Sequence, residues 1–220
     1  CEAKAMAKLQ GRWAEETREA FLVGNYFHTA MESPEAHEEF CRTHYDDIFK
    51  YRILKSGEVK ENGKYAAFEQ ADKMLSVCRN DKLISSLIDM PGENEVIMTG
   101  ELFGVPWRIR MDKYCPDRNI IIDWKTVANI HELKYNPMTR EKETFVEAYG
   151  YVMRAAIYSE IEKQHKKTDK NANFIIVAVS KQDYPDKEVL LLNHEQRYQW
   201  ELSCVKEKIG RIKALKEQKY

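Results

Sequence analysis

Asp112, Asp123 and Lys125 are the residues of this 220-residue chain whose types and spacing could do chemistry. Two carboxylates supply oxygen ligands for a hard cation such as Mg²⁺ or Mn²⁺, and the backbone carbonyl of Trp124, between Asp123 and Lys125, could join them. Such an ion polarises a phosphoryl oxygen and lowers the pKa of an attacking water. A lysine two residues beyond the second carboxylate can orient that water or stabilise charge building on the phosphate. Together these are the parts of a metal-dependent phosphodiesterase site. An Asp-x-Lys tripeptide alone is commonplace in a chain with 32% charged residues, where it is ordinarily a surface pair. The weight therefore rests on the elements that must position it.

Those elements read as a three-strand meander from Glu95 to Lys125. Glu95 to Met98 is a β-rich run, and Phe103-Gly104 offers a turn. From Val105 to Tyr114, apolar Val105, Trp107, Ile109 and Met111 alternate with Arg108, Arg110 and Asp112, which places Asp112 on a polar face. Cys115 to Asn119 is a turn cluster, and Ile120-Ile121-Ile122 is apolar and β-branched enough to demand a buried strand. A period of two puts Asp123 and Lys125 on one face and Trp124 on the other. If the second and third strands pair antiparallel, Asp112 and Asp123 sit at the same end of the ladder and could share a cation. A helix follows, expected over residues 143–163, with Phe145, Ala148, Tyr149, Val152, Ala155, Ala156 and Ser159 as its packing stripe. Glu147, Tyr151, Arg154 and Tyr158 recur on an adjoining face.

Asp112, the spacing to Asp123-Trp124-Lys125 and the helix from Tyr149 to Tyr158 resemble the PD-(D/E)xK nuclease superfamily. The nearest likeness is to the branch holding phage and prophage exonucleases of the exodeoxyribonuclease VIII (RecE) type and the nuclease domains of RecB. That branch carries a histidine on an early helix, and Gly24-Asn25-Tyr26-Phe27-His28 fits its Gly-x-x-x-His pattern, which implies His28 as a metal ligand. Glu95 looks like the glutamate that opens the corresponding strand and is a weaker ligand candidate, with Glu101 an alternative. The family's glutamine and tyrosine four apart on the later helix correspond to Arg154 and Tyr158 here, and the resemblance assigns that pair to holding the DNA backbone or steadying the site. Arginine departs from the pattern but binds phosphate through a fork. Histidines 37, 44, 131, 165 and 194 match no motif and are expected to be structural or solvated.

The rest of the chain reads as a frame for that site. Helices are expected over residues 3–22, 64–75 and 81–87, a helical or irregular stretch over 35–51, strands over 173–181 and 188–192, and a last helix to about residue 219 with Asn193 and Gln196 as its capping box. This is an α+β, αβα order with a mixed central sheet flanked by helices, and the resemblance implies that its core is restriction-endonuclease-like. No linker composition divides it, so a single domain over 1–220 is expected, with a helical part over 1–90 and the catalytic core over 91–220. Five scattered cysteines form no C-x-x-C pair, which argues against a zinc site or disulfide scaffold. A net charge of −1 excludes a protein coated in positive charge. Arg108, Arg110, Lys163, Lys166, Lys167, Lys206, Lys208, Arg211, Lys213 and Lys216 could line a local channel, although most read as an ordinary solvated face. There is no long apolar span and no signal peptide, so a cytoplasmic protein without membrane contact is expected. The chain begins at Cys1 rather than Met, so residues are expected upstream.

The resemblance implies a Mg²⁺- or Mn²⁺-dependent deoxyribonuclease encoded by a phage or prophage. It would be an exonuclease resecting linear duplex DNA for recombination beside a single-strand annealing protein, in a ring-like homo-oligomer. A structure-selective endonuclease on the same scaffold and a degenerate DNA- or protein-binding domain remain open as alternatives.

Overall fold

Helix α1 (Glu19–Glu32) forms because Val23, Tyr26, Phe27, Ala30 and Met31 recur at helical spacing, and all five are buried. The structure is a computed structural model that describes residues 10, 19–137 and 140–217, so the helix expected over 3–22 lies outside the described residues except at Gln10 and from Glu19 onward. Ser33 ends α1 and starts α2 (Pro34–Thr43), its hydroxyl accepting the Ala36 N–H while Pro34 takes the first turn. A single turn, α3 (Tyr45–Ile48), leads into a hairpin of β1 (Phe49–Ile53) and β2 (Val59–Lys64), where the sequence predicts no strands. Its residues are mostly exposed, so the apolar alternation that betrays a strand is missing. Helices α4 (Ala66–Arg79) and α5 (Lys82–Ile88) follow, with the Asp81 carboxylate accepting the N–H groups of Leu83 and Ile84 at the break between them.

The meander is present as expected. Strands β3 (Glu93–Leu102) and β4 (Val105–Cys115) turn at Phe103-Gly104, and a 3₁₀ turn with Asn119 in the left-handed region (φ +54°) leads into β5 (Ile120–Val127). A short hairpin, β6 (Lys134–Asn136) with β7 (Glu141–Glu143), precedes helices α6 (Phe145–Ala148) and α7 (Tyr151–Lys166). The chain ends with β8 (Asn173–Ser180), β9 (Lys187–Leu192) and α8 (Glu195–Lys216). The central sheet has the order β3-β4-β5-β8-β9, antiparallel except where β8 runs parallel beside β5.

Three layers result. On one face, Ile122, Trp124, Val177 and Val179 pack under α1, α4 and α5; on the other, Ile121, Phe174, Ile176 and Ala178 pack under α7 and α8. β5 and β8 are therefore covered on both faces, which explains their near-continuous apolar sequences. The fold is the αβα arrangement with a mixed sheet that the sequence predicts.

Two local expectations are corrected. The helix expected over 143–163 is broken: Glu143 ends a strand, the Glu147 carboxylate accepts the Thr144 N–H at 3.2 Å to start α6, and Gly150 at φ +66° separates α6 from α7. The last helix is capped by His194, whose Nδ1 accepts the Arg197 N–H at 3.3 Å, while Asn193 instead donates to Asn173.

Gly92 lets the chain enter β3 beneath the end of β4, since a Cβ there would lie 2.5 Å from the Tyr114 carbonyl oxygen and 2.7 Å from Cys115 Sγ. Gly92→Ala should therefore cost about 1–3 kcal/mol, seen as a lower urea midpoint with an unchanged slope. An unshifted midpoint would show that this approach is not tight.

Candidate active site

β4 and β5 pair through Cys115↔Ile120, Tyr114↔Ile121 and Lys113↔Ile122, and there the ladder stops. The next opposed residues are Asp112 and Asp123. Instead of a backbone bond, Asp112 Oδ2 accepts the Trp124 N–H at 2.8 Å. The aspartate thus satisfies an amide that the parted ladder leaves open. The same position is irregular on its other side. Ile109 and Met111 face the α7 layer in alternation, but Tyr114 joins that layer out of phase with them. Opposite Asp112 in the β3–β4 register, Glu95 takes a left-handed φ of +54°, a conformation that costs a non-glycine residue about 1–3 kcal/mol.

Three oxygens converge on the ammonium of Lys125. Nζ donates to the Trp124 carbonyl at 2.9 Å, stands 3.8 Å from Asp112 Oδ2 and lies against Asp123 Oδ2. Asp123 is buried at 3% exposure, and its Oδ2 has no hydrogen bond of acceptable geometry although the ammonium touches it. Its Oδ1 faces Arg154 Nη1 at 3.4 Å. Burial pushes the Asp123 carboxyl above the ordinary carboxylate range against the pull of Lys125, and the Asp112 charge adds to the rise. From α1, His28 Nδ1 reaches to 3.4 Å from Asp112 Oδ2. Burial pushes the imidazole pKa down, more than Asp112 raises it, which favours the neutral ring that a metal ligand requires.

Among the described residues, no three His, Cys, Asp or Glu side chains are gathered closely enough to form a metal cage by themselves. The donor set that fits a cation is mixed: two carboxylates and a backbone carbonyl already turned towards one positive charge, with an imidazole beside them. Oxygen donors of this kind suit Mg²⁺ or Mn²⁺. Of the donor set, His28 and Asp112 open onto a cleft of about 450 Å³ walled by Asn25, His28, Thr29 and Glu32 of α1 on one side and Glu95, Arg110, Asp112, Lys125 and Arg154 on the other.

The structure thus brings His28, Asp112, Asp123, the Trp124 carbonyl, Lys125 and Arg154 together. Glu95 also lines the cleft, but Arg110 Nε holds its carboxylate at 2.9 Å. Tyr158 does not line the cleft and is placed to steady the site: its hydroxyl donates to the Arg110 carbonyl at 3.0 Å and its ring packs edge-on to Phe174, so it fastens α7 to the sheet. Glu101 lies near the far turn of β3, where Gln164 grips its backbone. Of the described basic residues suggested for a channel, Arg110 alone lines the cleft; Lys163 pairs with Glu160, and Lys166 with Glu162. The histidines outside the motif are structural or solvated; His37 packs edge-on against Tyr26, and His165 meets the Thr99 carbonyl.

Two features of the site escape a reading of motifs. Asn25, His28, Thr29 and Glu32 form a polar stripe at helical spacing on α1, a signal available from the sequence. Tyr151 places its ring 5.6 Å from Lys125 Nζ and 5.4 Å from the Arg154 guanidinium, beneath both cations. Its spacing puts it on the face of Arg154 and Tyr158, but no motif marks it as a support for Lys125.

A family model described as a PDDEXK-like domain of unknown function (DUF3799) matches residues 1–220. Among solved structures, a protein from Eubacterium rectale described as a "putative exonuclease" matches with a TM-score of 0.80 and 32% identity, over 100% of this chain and 76% of that one. No curated protein matches the chain.

Because the Lys125 ammonium stands where the oxygens meet, a divalent ion held by the same oxygens has to displace it. Lys125→Met should therefore bind Mn²⁺ no more weakly than the parent protein, whereas Asp112→Asn and Asp123→Asn should each lose about tenfold or more. Electron paramagnetic resonance of free Mn²⁺ measures this directly, and weaker binding in Lys125→Met would show that ammonium and metal do not compete.

Proposed function

We propose that this chain, which belongs to the PDDEXK-like domain family, is a metal-dependent nuclease whose reaction centre lies where β4 and β5 part. The observation that carries this reading is the convergence of Asp112, Asp123 and the Trp124 carbonyl on one cation. Those groups, with His28 beside them, would hold Mg²⁺ or Mn²⁺. When bound, such an ion polarises the phosphoryl oxygen and lowers the pKa of the attacking water.

The chain's own residues do the rest. Lys125, released from the carboxylates, has an ammonium free to orient the water and to offset negative charge on the phosphate in a partly dry cleft. Tyr151 supports that ammonium from below without neutralising it. Arg154 offers a planar fork suited to the substrate phosphate, and its present contact with Asp123 is a long one at 3.4 Å that an incoming anion can exchange. Tyr158 acts on β4 through the Arg110 carbonyl, steadying the strand that carries Asp112. Glu95, ion-paired to Arg110, is an outer carboxylate of the same wall.

The finer reading is an exonuclease of the RecE-like branch that degrades linear duplex DNA from its ends. The description of the Eubacterium rectale protein, at 32% identity, supports the exonuclease part of this reading. In that reading residues 1–220 act as one domain in the cytoplasm, in phage-type recombination with a single-strand annealing protein and as a ring-like oligomer. Among the described residues, no helix is long and apolar enough to cross a membrane, which is compatible with that setting.

End-labelled linear duplex should be degraded with Mg²⁺ or Mn²⁺ and spared with EDTA, while covalently closed circular DNA stays intact. Asp123→Ala should abolish cleavage while the variant remains folded by circular dichroism. Nicking of the circle would make the enzyme an endonuclease, and cleavage at the parent rate by Asp123→Ala would remove the proposed centre.

A further inference from the structure

The break between α6 and α7 gives Tyr149 a position that a continuous helix would forbid. Residues two apart on a helix point in divergent directions. Here Gly150, at φ +66°, turns the chain so that the Tyr149 and Tyr151 rings stand 6.0 Å apart, centroid to centroid. Tyr151 in turn lies 5.6 Å from Lys125 Nζ, and Lys134 of β6 holds its ammonium 5.2 Å from the Tyr149 ring. Cation, ring, ring and cation thus follow one another from the reaction centre outwards. The inner ring is half-buried, but Tyr149 is 55% exposed and contributes little to the core. Burial therefore does not account for its position, one ring removed from Lys125.

We infer that Tyr149 and Lys134 form a nucleotide subsite that takes an unpaired base next to the phosphate being cleaved, an inference that rests on the nuclease reading above. The complement is chemical. A nucleic-acid strand offers anionic phosphates on either side of the π-faces of its bases, and this row offers two rings with a cation at each end. A base inside a duplex has both faces covered by its neighbours, so only a frayed or single-stranded nucleotide can offer one to Tyr149. Lys134 and Lys125 stand on either side of the two rings for the phosphates that flank such a base. The substrate class this selects is DNA with an unpaired end, or duplex whose terminal pair opens on binding.

The test uses the full chain carrying Asp123→Asn, so that DNA is held and not degraded. The probes are a blunt duplex and the same duplex with a short single-stranded overhang ending in a fluorescent adenine analogue. Tyr149→Leu should weaken overhang binding by about tenfold or more and blunt-duplex binding by less, while Tyr149→Phe and Tyr149→Trp restore it. Analogue fluorescence should be quenched on binding by the aromatic variants and not by Tyr149→Leu. Lys134→Ala should lower the slope of log affinity against log salt by about 1. Overhang binding by Tyr149→Leu equal to that of Tyr149→Trp, or equal losses on both probes, would overturn the subsite. If the chain without substitutions degrades DNA and Tyr149→Leu binds normally, the subsite alone falls. If that chain neither binds nor degrades either DNA, the nuclease reading falls with it.

Discussion

The hydrogen bond from the Trp124 amide to Asp112 is the contact on which the site depends. It sits one step beyond the last ladder pair, Lys113↔Ile122, and converts the end of a sheet into a cavity floor. All three handles of residue 124 are engaged at once. The indole is 1% exposed in the core beneath the N-terminal helices, the N–H goes to Asp112, and the carbonyl goes to Lys125. A backbone pinned in three directions has little freedom to slide, and a one-residue slip would send Asp123 to the opposite face. The large buried tryptophan thus fixes the polar residues on either side of it.

Charge sets the second constraint. Asp123 is nearly dry, and an ionised carboxylate in such a place is tolerated only with partners. Lys125 comes from the same strand, and Arg154 from α7 across the layer boundary. The arginine that departs from the family's glutamine is therefore a countercharge to Asp123. α1 closes the other side with His28, so the cleft needs both helical layers and the sheet to be complete.

The meander and its acids were legible because two periodicities agree. Alternation along Val105 to Met111 and the triple isoleucine at 120–122 fix two strands, and the short turn between them fixes the register, so Asp112 and Asp123 fall opposite one another by counting. What was not legible had no such second signal. The β1–β2 hairpin exposes most of its residues and carries no buried stripe. The break at Tyr149-Gly150 is hidden because a glycine within an amphipathic pattern reads as tolerated, and only the left-handed φ reveals it as a boundary. His194 displaced Asn193 as the cap because a ring nitrogen can accept an amide as a carboxamide oxygen does, an option composition rules underweight. The engagement of Tyr158 with a main-chain oxygen depends on how α7 lies across β4, which is a tertiary fact.

The two aspartates of the centre and Glu95 each face a positive partner. Asp112 and Asp123 carry two negative charges against Lys125 and Arg154, and Glu95 is matched by Arg110, with His28 favoured in its neutral form. Such a centre can stay folded with nothing bound, which a bare pair of adjacent carboxylates could not do cheaply. A divalent ion held by the oxygens that now meet Lys125 would take the place of its ammonium, while the long Arg154 contact to the other oxygen of Asp123 would be open to exchange with an anion. In the proposed reaction Lys125 and Arg154, now counterions for the carboxylates, would become partners for the phosphate. An arginine suits the second task as well as the first, because its fork can hold two phosphate oxygens where an amide would offer a weaker, uncharged contact.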